Sequence, residues 1–155
     1  MNKRIYVIGD VMLDKYWSGT SSRLSPESPV PVVDDVKVTN RLGGAGNVCK
    51  NLKVFTDDIC LFSVVGKDRE GAQVAQELAD NDITNDLTLG ENSKTITKTR
   101  VLSNDQQLCR IDSGSLQDAP PRLGDTPDAI IISDYGKGTI TSDVIRDIID
   151  NHDCN

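Results

Sequence analysis

Arg4-Ile5-Tyr6-Val7-Ile8-Gly9-Asp10-Val11-Met12-Leu13-Asp14 begins almost at the N-terminus, as an apolar run that breaks on a glycine and an aspartate. Residues 4–11 read as a short buried strand, because the run is apolar on consecutive positions and ends in a turn signal. A strand apolar on both faces needs cover on both faces, which is the situation of a parallel sheet flanked by helices. Asp10 and Asp14 then stand at the C-terminal end of that strand, the end where open α/β sheets bind ligands. Two carboxylates there can accept hydrogen bonds from sugar hydroxyls. The competing reading is ordinary: Asp14 caps a turn and Asp10 is solvated.

The rest of the chain extends this pattern. Met12–Asn40 holds turn residues and Pro26, Pro29 and Pro31, with Val30, Val32, Val33, Val36 and Val38 marking short extended pieces. Proline keeps such pieces at sheet edges or in flaps. Gly43-Gly44-Ala45-Gly46-Asn47 reads as a glycine-rich turn, and Val48, Cys49, Leu52 and Phe55 behind it have helical spacing. Residues 59–65 are a second buried strand. Residues 69–79 form a helix with Ala72, Val74, Ala75, Leu78 and Ala79 as its apolar face. A short strand falls at 86–89. Residues 94–103 and 106–112 form a hairpin turning at Asn104-Asp105. Residues 113–127 are a loop. Residues 129–132 are a fully apolar strand, as expected inside a parallel sheet. Residues 141–150 are a helix with Val144, Ile145, Ile148 and Ile149 inward and Thr141 or Ser142 as cap. Strands alternating with helices predict an α/β fold, one domain over 1–155. Two segments, about 16–40 and 94–112, lie outside the main sheet.

Composition narrows the function classes. With 17 basic and 24 acidic side chains the net charge is −7, the wrong sign for a nucleic-acid surface. A pocket can still be locally basic. No apolar run approaches the roughly 20 residues that span a bilayer, so no membrane role is expected. The apolar stretch after Met1-Asn2-Lys3-Arg4 stops too soon for a secretory segment, which points to a cytoplasmic chain. Cys49, Cys60, Cys109 and Cys154 form no CxxC pair, and the one histidine is His152. Metal-ligand spacing is absent, and the cysteines read as reduced residues in or near the core.

Three further groups can carry chemistry. At the 43–47 turn, missing side chains and a helix start bring backbone N–H groups to a ligand. As a dinucleotide fingerprint it is incomplete, because Cys49 stands where the third glycine belongs, and an unliganded turn is equally compatible with it. Lys98 and Arg100 are two apart, hence on one strand face, and Arg110 lies on the partner strand. Such cations can hold a phosphate or form a solvated face. Ser133-Asp134-Tyr135-Gly136-Lys137-Gly138 follows the last strand and places Asp134 and Lys137 at another strand end. It is a candidate site or an ordinary βα loop.

Taken together, Val7–Asp14, Ser25–Val33, Gly43–Val48, Thr95–Ser103, Gln106–Asp112 and Ser133–Gly138 resemble the bacterial heptose-7-phosphate kinase domain of the ribokinase/PfkB carbohydrate kinases. That domain is often fused to an ADP-heptose synthase. The resemblance runs across nearly the whole chain in order. It implies a ribokinase-like, Rossmann-like sheet with a small β-strand lid. It implies that Asp14, Gly43, Gly44 and Asn47 bind the sugar, and that Lys98, Arg100 and Lys137 face the substrate or its phosphate. Mg-ATP is the implied phosphoryl donor. The implied partners are a phosphorylated sugar and either a second copy, paired through the lid, or a complementary kinase half. Family members continue for about as many residues again, and that half carries the nucleotide site and the aspartate base. The expectation is therefore a truncated domain with the sugar-binding half and no catalytic residue of its own. The stretch between Asp112 and Ala129 is also shorter than in the family, so one sheet face should be thinly covered. Two other readings stay open: a non-catalytic protein that binds a sugar phosphate or a kinase, and a nucleotide-binding module built on the glycine turn.

Overall fold

The computed structural model describes residues 3–151. Its first strand, β1 (Ile5–Gly9), alternates its contacts as period-2 geometry requires: Val7 faces one layer, Tyr6 and Ile8 the other. It is an inner strand of a parallel sheet. β4 (Ile59–Gly66) lies beside it on one side and β8 (Ala129–Ser133) on the other, with β5 (Thr84–Gly90) outside β4.

At Asp10 the backbone leaves this sheet and enters a second one. β2 (Val11–Leu24) pairs antiparallel with β3 (Pro31–Gly44) and parallel with β6 (Lys94–Ser103), which pairs antiparallel with β7 (Gln106–Ser115). The crossing leaves polar backbone groups to satisfy. The buried Ser63 hydroxyl does so, donating to Gly9 O and accepting from Val11 N. β3 returns to the first sheet at Gly44, where α1 (Ala45–Leu52) starts.

The main core lies between the parallel sheet and the helices α1 and α2 (Arg69–Asp80). It contains Val7, Val11, Leu13, Leu42, Ala45, Cys49, Leu61, Val65, Val74 and Leu78. Asp68 caps α2, accepting from Gly71 N at 2.7 Å, and also accepts from Thr95 N and Thr95 Oγ1 at 2.9 and 2.7 Å. One carboxylate thus ties a helix of the first layer to the first residues of β6 in the second sheet. The opposite sheet face carries a smaller cluster of Tyr6, Ile8, Phe62 and Ile148 under α3 (Ser142–Asn151).

Several local expectations are corrected. Residues 12–40 are not short pieces. They are most of two 14-residue strands joined around Pro26 and Pro29, because pairing between β2 and β3 overrides turn residues that read locally as breaks. The helix after the glycine turn ends at Leu52, so Phe55 lies outside it and is 81% exposed. The 113–127 loop starts only after β7 ends at Ser115. β8 is an edge strand rather than an inner one, with Ile132 exposed. On α3, Ile148 is buried and Val144 packs beside it, whereas Ile145 and Ile149 are exposed. Thr141 does cap that helix, accepting from Val144 N at 3.3 Å. On α2, Ala72 and Ala79 are exposed, and Val74 and Leu78 carry the contact. His152 and Cys154 lie outside the described residues.

Candidate functional site

A cleft of about 360 Å³ opens where the two sheets meet. Its lining comes from four places in the chain. β2 contributes Met12, Asp14 and Tyr16, and the end of β3 with the start of α1 contributes Arg41–Gly44 and Asn47. β6 contributes Lys98 and Arg100, and Tyr135 reaches in from the loop after β8.

Pairing register explains why these side chains share a face. Arg41, Asp14 and Lys98 are register partners across β3, β2 and β6, and Tyr16 pairs with Arg100 one row further out. Alternate residues of a strand point the same way, so Asp14 with Tyr16, and Lys98 with Arg100, follow automatically. Arg100 reaches back to Asp14, Nη1 to Oδ1 at 2.7 Å, with both side chains largely shielded. The hydrogen bond that Arg100 donates to Asp14 raises the arginine's pKa. Arg41 and Arg100 both place their guanidinium carbons 5.2 Å from the Tyr16 ring centroid, and Lys98 Nζ is 5.7 Å from that of Tyr135. These are cation–π distances.

The glycines at the turn are required by space. A Cβ on Gly43 would stand 2.6 Å from Asp14 Oδ2. Gly44 has φ +56°, and a Cβ there would collide with the Asp10 carbonyl oxygen. No side chain caps α1; the first helical N–H, of Ala45, is met instead by the Asp10 carbonyl oxygen at 2.9 Å.

The remaining sequence candidates fall elsewhere. Asp10 is fully buried and does not line the cleft. Its Oδ2 accepts from Tyr135 N at 2.8 Å and Lys137 N at 3.0 Å, and its Oδ1 from Thr139 N at 3.0 Å. A carboxylate with its lone pairs occupied in this way shapes the 134–139 loop rather than meeting a ligand. Lys137 lines a small neighbouring pocket of about 120 Å³, which shares Lys98 with the cleft. Asp134 is exposed and accepts from Gly136 N. Arg110 is exposed and bound to Asp112 at 2.8 and 3.1 Å. Tyr16, Arg41 and Tyr135 were not singled out from sequence. The first two were findable: Tyr16 is two residues from Asp14, and Arg41 two from Gly43. A larger cavity, about 630 Å³, lies between residues 116–123 and α3 and shares no lining residue with the cleft. It marks the thinly covered sheet face.

A model of the pfkB family of carbohydrate kinases matches residues 2–125. The chain belongs to this family. It is 39% identical over 150 residues to the bifunctional protein HldE of Actinobacillus pleuropneumoniae serotype 5b, covering 91% of this chain and 32% of that protein. It is 38% identical over 146 residues to the D-beta-D-heptose 7-phosphate kinase of Bordetella bronchiseptica, covering 88% of this chain and 47% of that one. The chain therefore spans about a third to a half of the length of these relatives. Among solved structures, a carbohydrate kinase from Agrobacterium tumefaciens superposes with TM-score 0.58 at 19% identity, over 72% of this chain and 35% of that one. A ribokinase from Giardia lamblia does so with TM-score 0.51 at 15% identity, over 74% and 36%. The fold is ribokinase-like: a parallel sheet with helices, joined to a smaller second sheet. No helix among the described residues is long and apolar enough to cross a membrane.

Proposed function

We propose that this pfkB chain is the sugar-binding part of a carbohydrate kinase whose substrate is a phosphorylated heptose. The observation that carries the reading is the convergence of Asp14, the Gly43-Gly44 turn, Asn47, Lys98 and Arg100 on one cleft. The identity to a D-beta-D-heptose 7-phosphate kinase supports the choice of sugar. In this reading Asp14 and Asn47 exchange hydrogen bonds with sugar hydroxyls, the glycine turn lets the sugar approach the backbone, and the basic side of the cleft faces its phosphate. Asp10 is a positioning residue, holding Tyr135 and Lys137 in place. Lys137 lies close enough to Lys98 to extend the basic end of the site.

Mg-ATP is the phosphoryl donor expected for the family. Magnesium is held by one or two carboxylates together with the nucleotide phosphates, and Asp14, the carboxylate that lines the cleft, is engaged by Arg100. We place the nucleotide site and the catalytic base in the portion of the relatives that this chain does not span. Isothermal calorimetry and a coupled kinase assay with D-β-D-heptose 7-phosphate and Mg-ATP test both halves of the reading. Binding without turnover is expected. Vigorous turnover would overturn the assignment of the base, and no binding at millimolar sugar would overturn the sugar-binding reading itself.

A partner protein is a second reading with its own support. β8 is an unpaired sheet edge, and Ile132, Ile145 and Ile149 are exposed near it. Such an edge suits a complementary kinase half that adds a strand. The outer face of the second sheet offers a different surface. Val38, Trp17, Val101 and Cys109 form one register row there, suited to a second copy of the chain. Sedimentation analysis of Trp17→Glu and Ile132→Glu separates the two, since each change should abolish only its own assembly.

A further inference from the structure

We infer that Arg41, acting with Lys98, is the residue that selects a phosphorylated over an unphosphorylated sugar, and that Arg100 is reserved for holding Asp14. This rests on the sugar-binding reading above and adds the group that recognises the phosphate.

The argument is one of charge pairing. Three cations of this sheet face line the cleft, Arg41, Lys98 and Arg100, while Arg110 on the edge strand and Lys37, two rows out opposite Ser18, do not. Arg100 is paired with Asp14 at 2.7 Å, and Arg110 with Asp112 through two contacts. A guanidinium already bound to a carboxylate has fewer donors left and is neutralised locally. Arg41 and Lys98 have no carboxylate partner among the described residues. What each has is an aromatic ring, Tyr16 for Arg41 and Tyr135 for Lys98.

That difference matters for an anion. A guanidinium lying over a ring is held by its face, and its planar edge keeps the N–H fork free for two parallel bonds to phosphate oxygens. Tyr16 therefore orients Arg41 without cancelling its charge. Position agrees. Arg41 and Lys98 flank Asp14 in one register row, so their backbones stand about 10 Å apart at the usual strand spacing. Long side chains can converge on one phosphate from that separation, with the sugar hydroxyls between them at Asp14. The cleft lining holds three cations against one carboxylate, inside a chain whose net charge is −7. A surplus of positive charge concentrated there fits a phosphate dianion and has no use for a neutral sugar.

Calorimetry on the full chain with D-β-D-heptose 7-phosphate and with the same heptose lacking the phosphate tests this. Arg41→Ala should weaken binding of the phosphorylated sugar by about tenfold to a hundredfold and leave the unphosphorylated sugar unchanged. Arg41→Lys should recover part of the loss, and Arg110→Ala should do nothing. In the unaltered chain, inorganic phosphate should compete with heptose 7-phosphate, a readout that needs no variant. Equal loss for both sugars, no loss on Arg41→Ala, or failure of millimolar phosphate to compete each overturns the role of Arg41 while leaving the sugar site standing. Failure of the unaltered chain to bind either sugar overturns the sugar-binding reading, and this inference with it.

Discussion

Arg100 does not extend straight out from its strand but folds back one row to meet Asp14 at 2.7 Å, 86 residues away in sequence. The pair holds the sugar-facing carboxylate against β6 and leaves one of its oxygens for a ligand. Its side chains are 23% and 18% exposed, sheltered enough that losing one partner strands the other. Arg100→Ala should therefore cost about 1–3 kcal/mol of stability and also weaken sugar binding by letting Asp14 move. Asp14→Asn should abolish most sugar affinity with a smaller stability loss. Urea denaturation and calorimetry on both variants and the double variant would resolve the coupling. Additive losses would mean that the two side chains act independently.

Gly43→Ala and Gly44→Ala should separate binding from folding. The first would place a methyl group 2.6 Å from Asp14 Oδ2, a side-chain atom that can yield. Sugar affinity should fall while the melting temperature stays within a few degrees. The second meets backbone at a left-handed φ and should cost roughly 1–3 kcal/mol or more of stability. Thermal melts of the two proteins check the contrast.

Asp10→Ala should be the most damaging single change near the site. It removes an acceptor for three backbone N–H groups from a fully buried position. Stranded donors cost about 1–3 kcal/mol each, so a loss of several kcal/mol is expected. Faster hydrogen exchange at Tyr135, Lys137 and Thr139 would locate it.

Acid should loosen the joint between the two sheets. Burial raises the Asp68 pKa. The hydrogen bonds from Thr95 Oγ1, Thr95 N and Gly71 N outweigh it and hold the carboxyl below the ordinary value near 3.8. A depressed folded pKa means the stabilisation is complete above the unfolded value and is lost as pH falls through the folded one. Stability of the unaltered chain should drop below about pH 4. Asp68→Asn should be less stable at pH 7 and show a shallower acid limb in denaturant titrations.

Thiol labelling should follow burial. Burial pushes the Cys49 thiol up to about 12 and the Cys60 thiol up to about 11, so neither supplies thiolate at neutral pH. Cys109 is exposed. Among the described cysteines, mapped labelling at pH 8 should find Cys109 modified first, Cys60 more slowly, and Cys49 only on unfolding.

The parts of the fold that sequence reading recovers are those governed by local pattern. β1 and β4 carry continuous apolar runs, α2 has a strong helical stripe, and Asn104-Asp105 both take the positive φ of a tight hairpin turn. What escaped depends on distant partners. The length of β2 and β3 comes from their pairing, which proline and turn residues obscure. Ile145 and Ile149 have the periodicity of a buried face, but periodicity does not reveal how much sheet lies beneath it. The same holds for the site. Asp14 and the glycine turn are visible as motifs, while the burial of Asp10 and the capture of Arg100 by Asp14 follow only once strands are placed side by side.

The crossing of the backbone from one sheet to the other at Asp10 also sets a mechanical scale. β2 runs 14 residues beyond it, about 45 Å at roughly 3.3 Å per residue. If the second sheet tilts as a unit by about 5°, its far tip sweeps roughly 4 Å, while Asp14, near the pivot, moves by only about 1 Å. On that geometry the fold would act as a long lever with its fulcrum beside the cleft, and a slight displacement where a ligand sits would become a large travel at the opposite end.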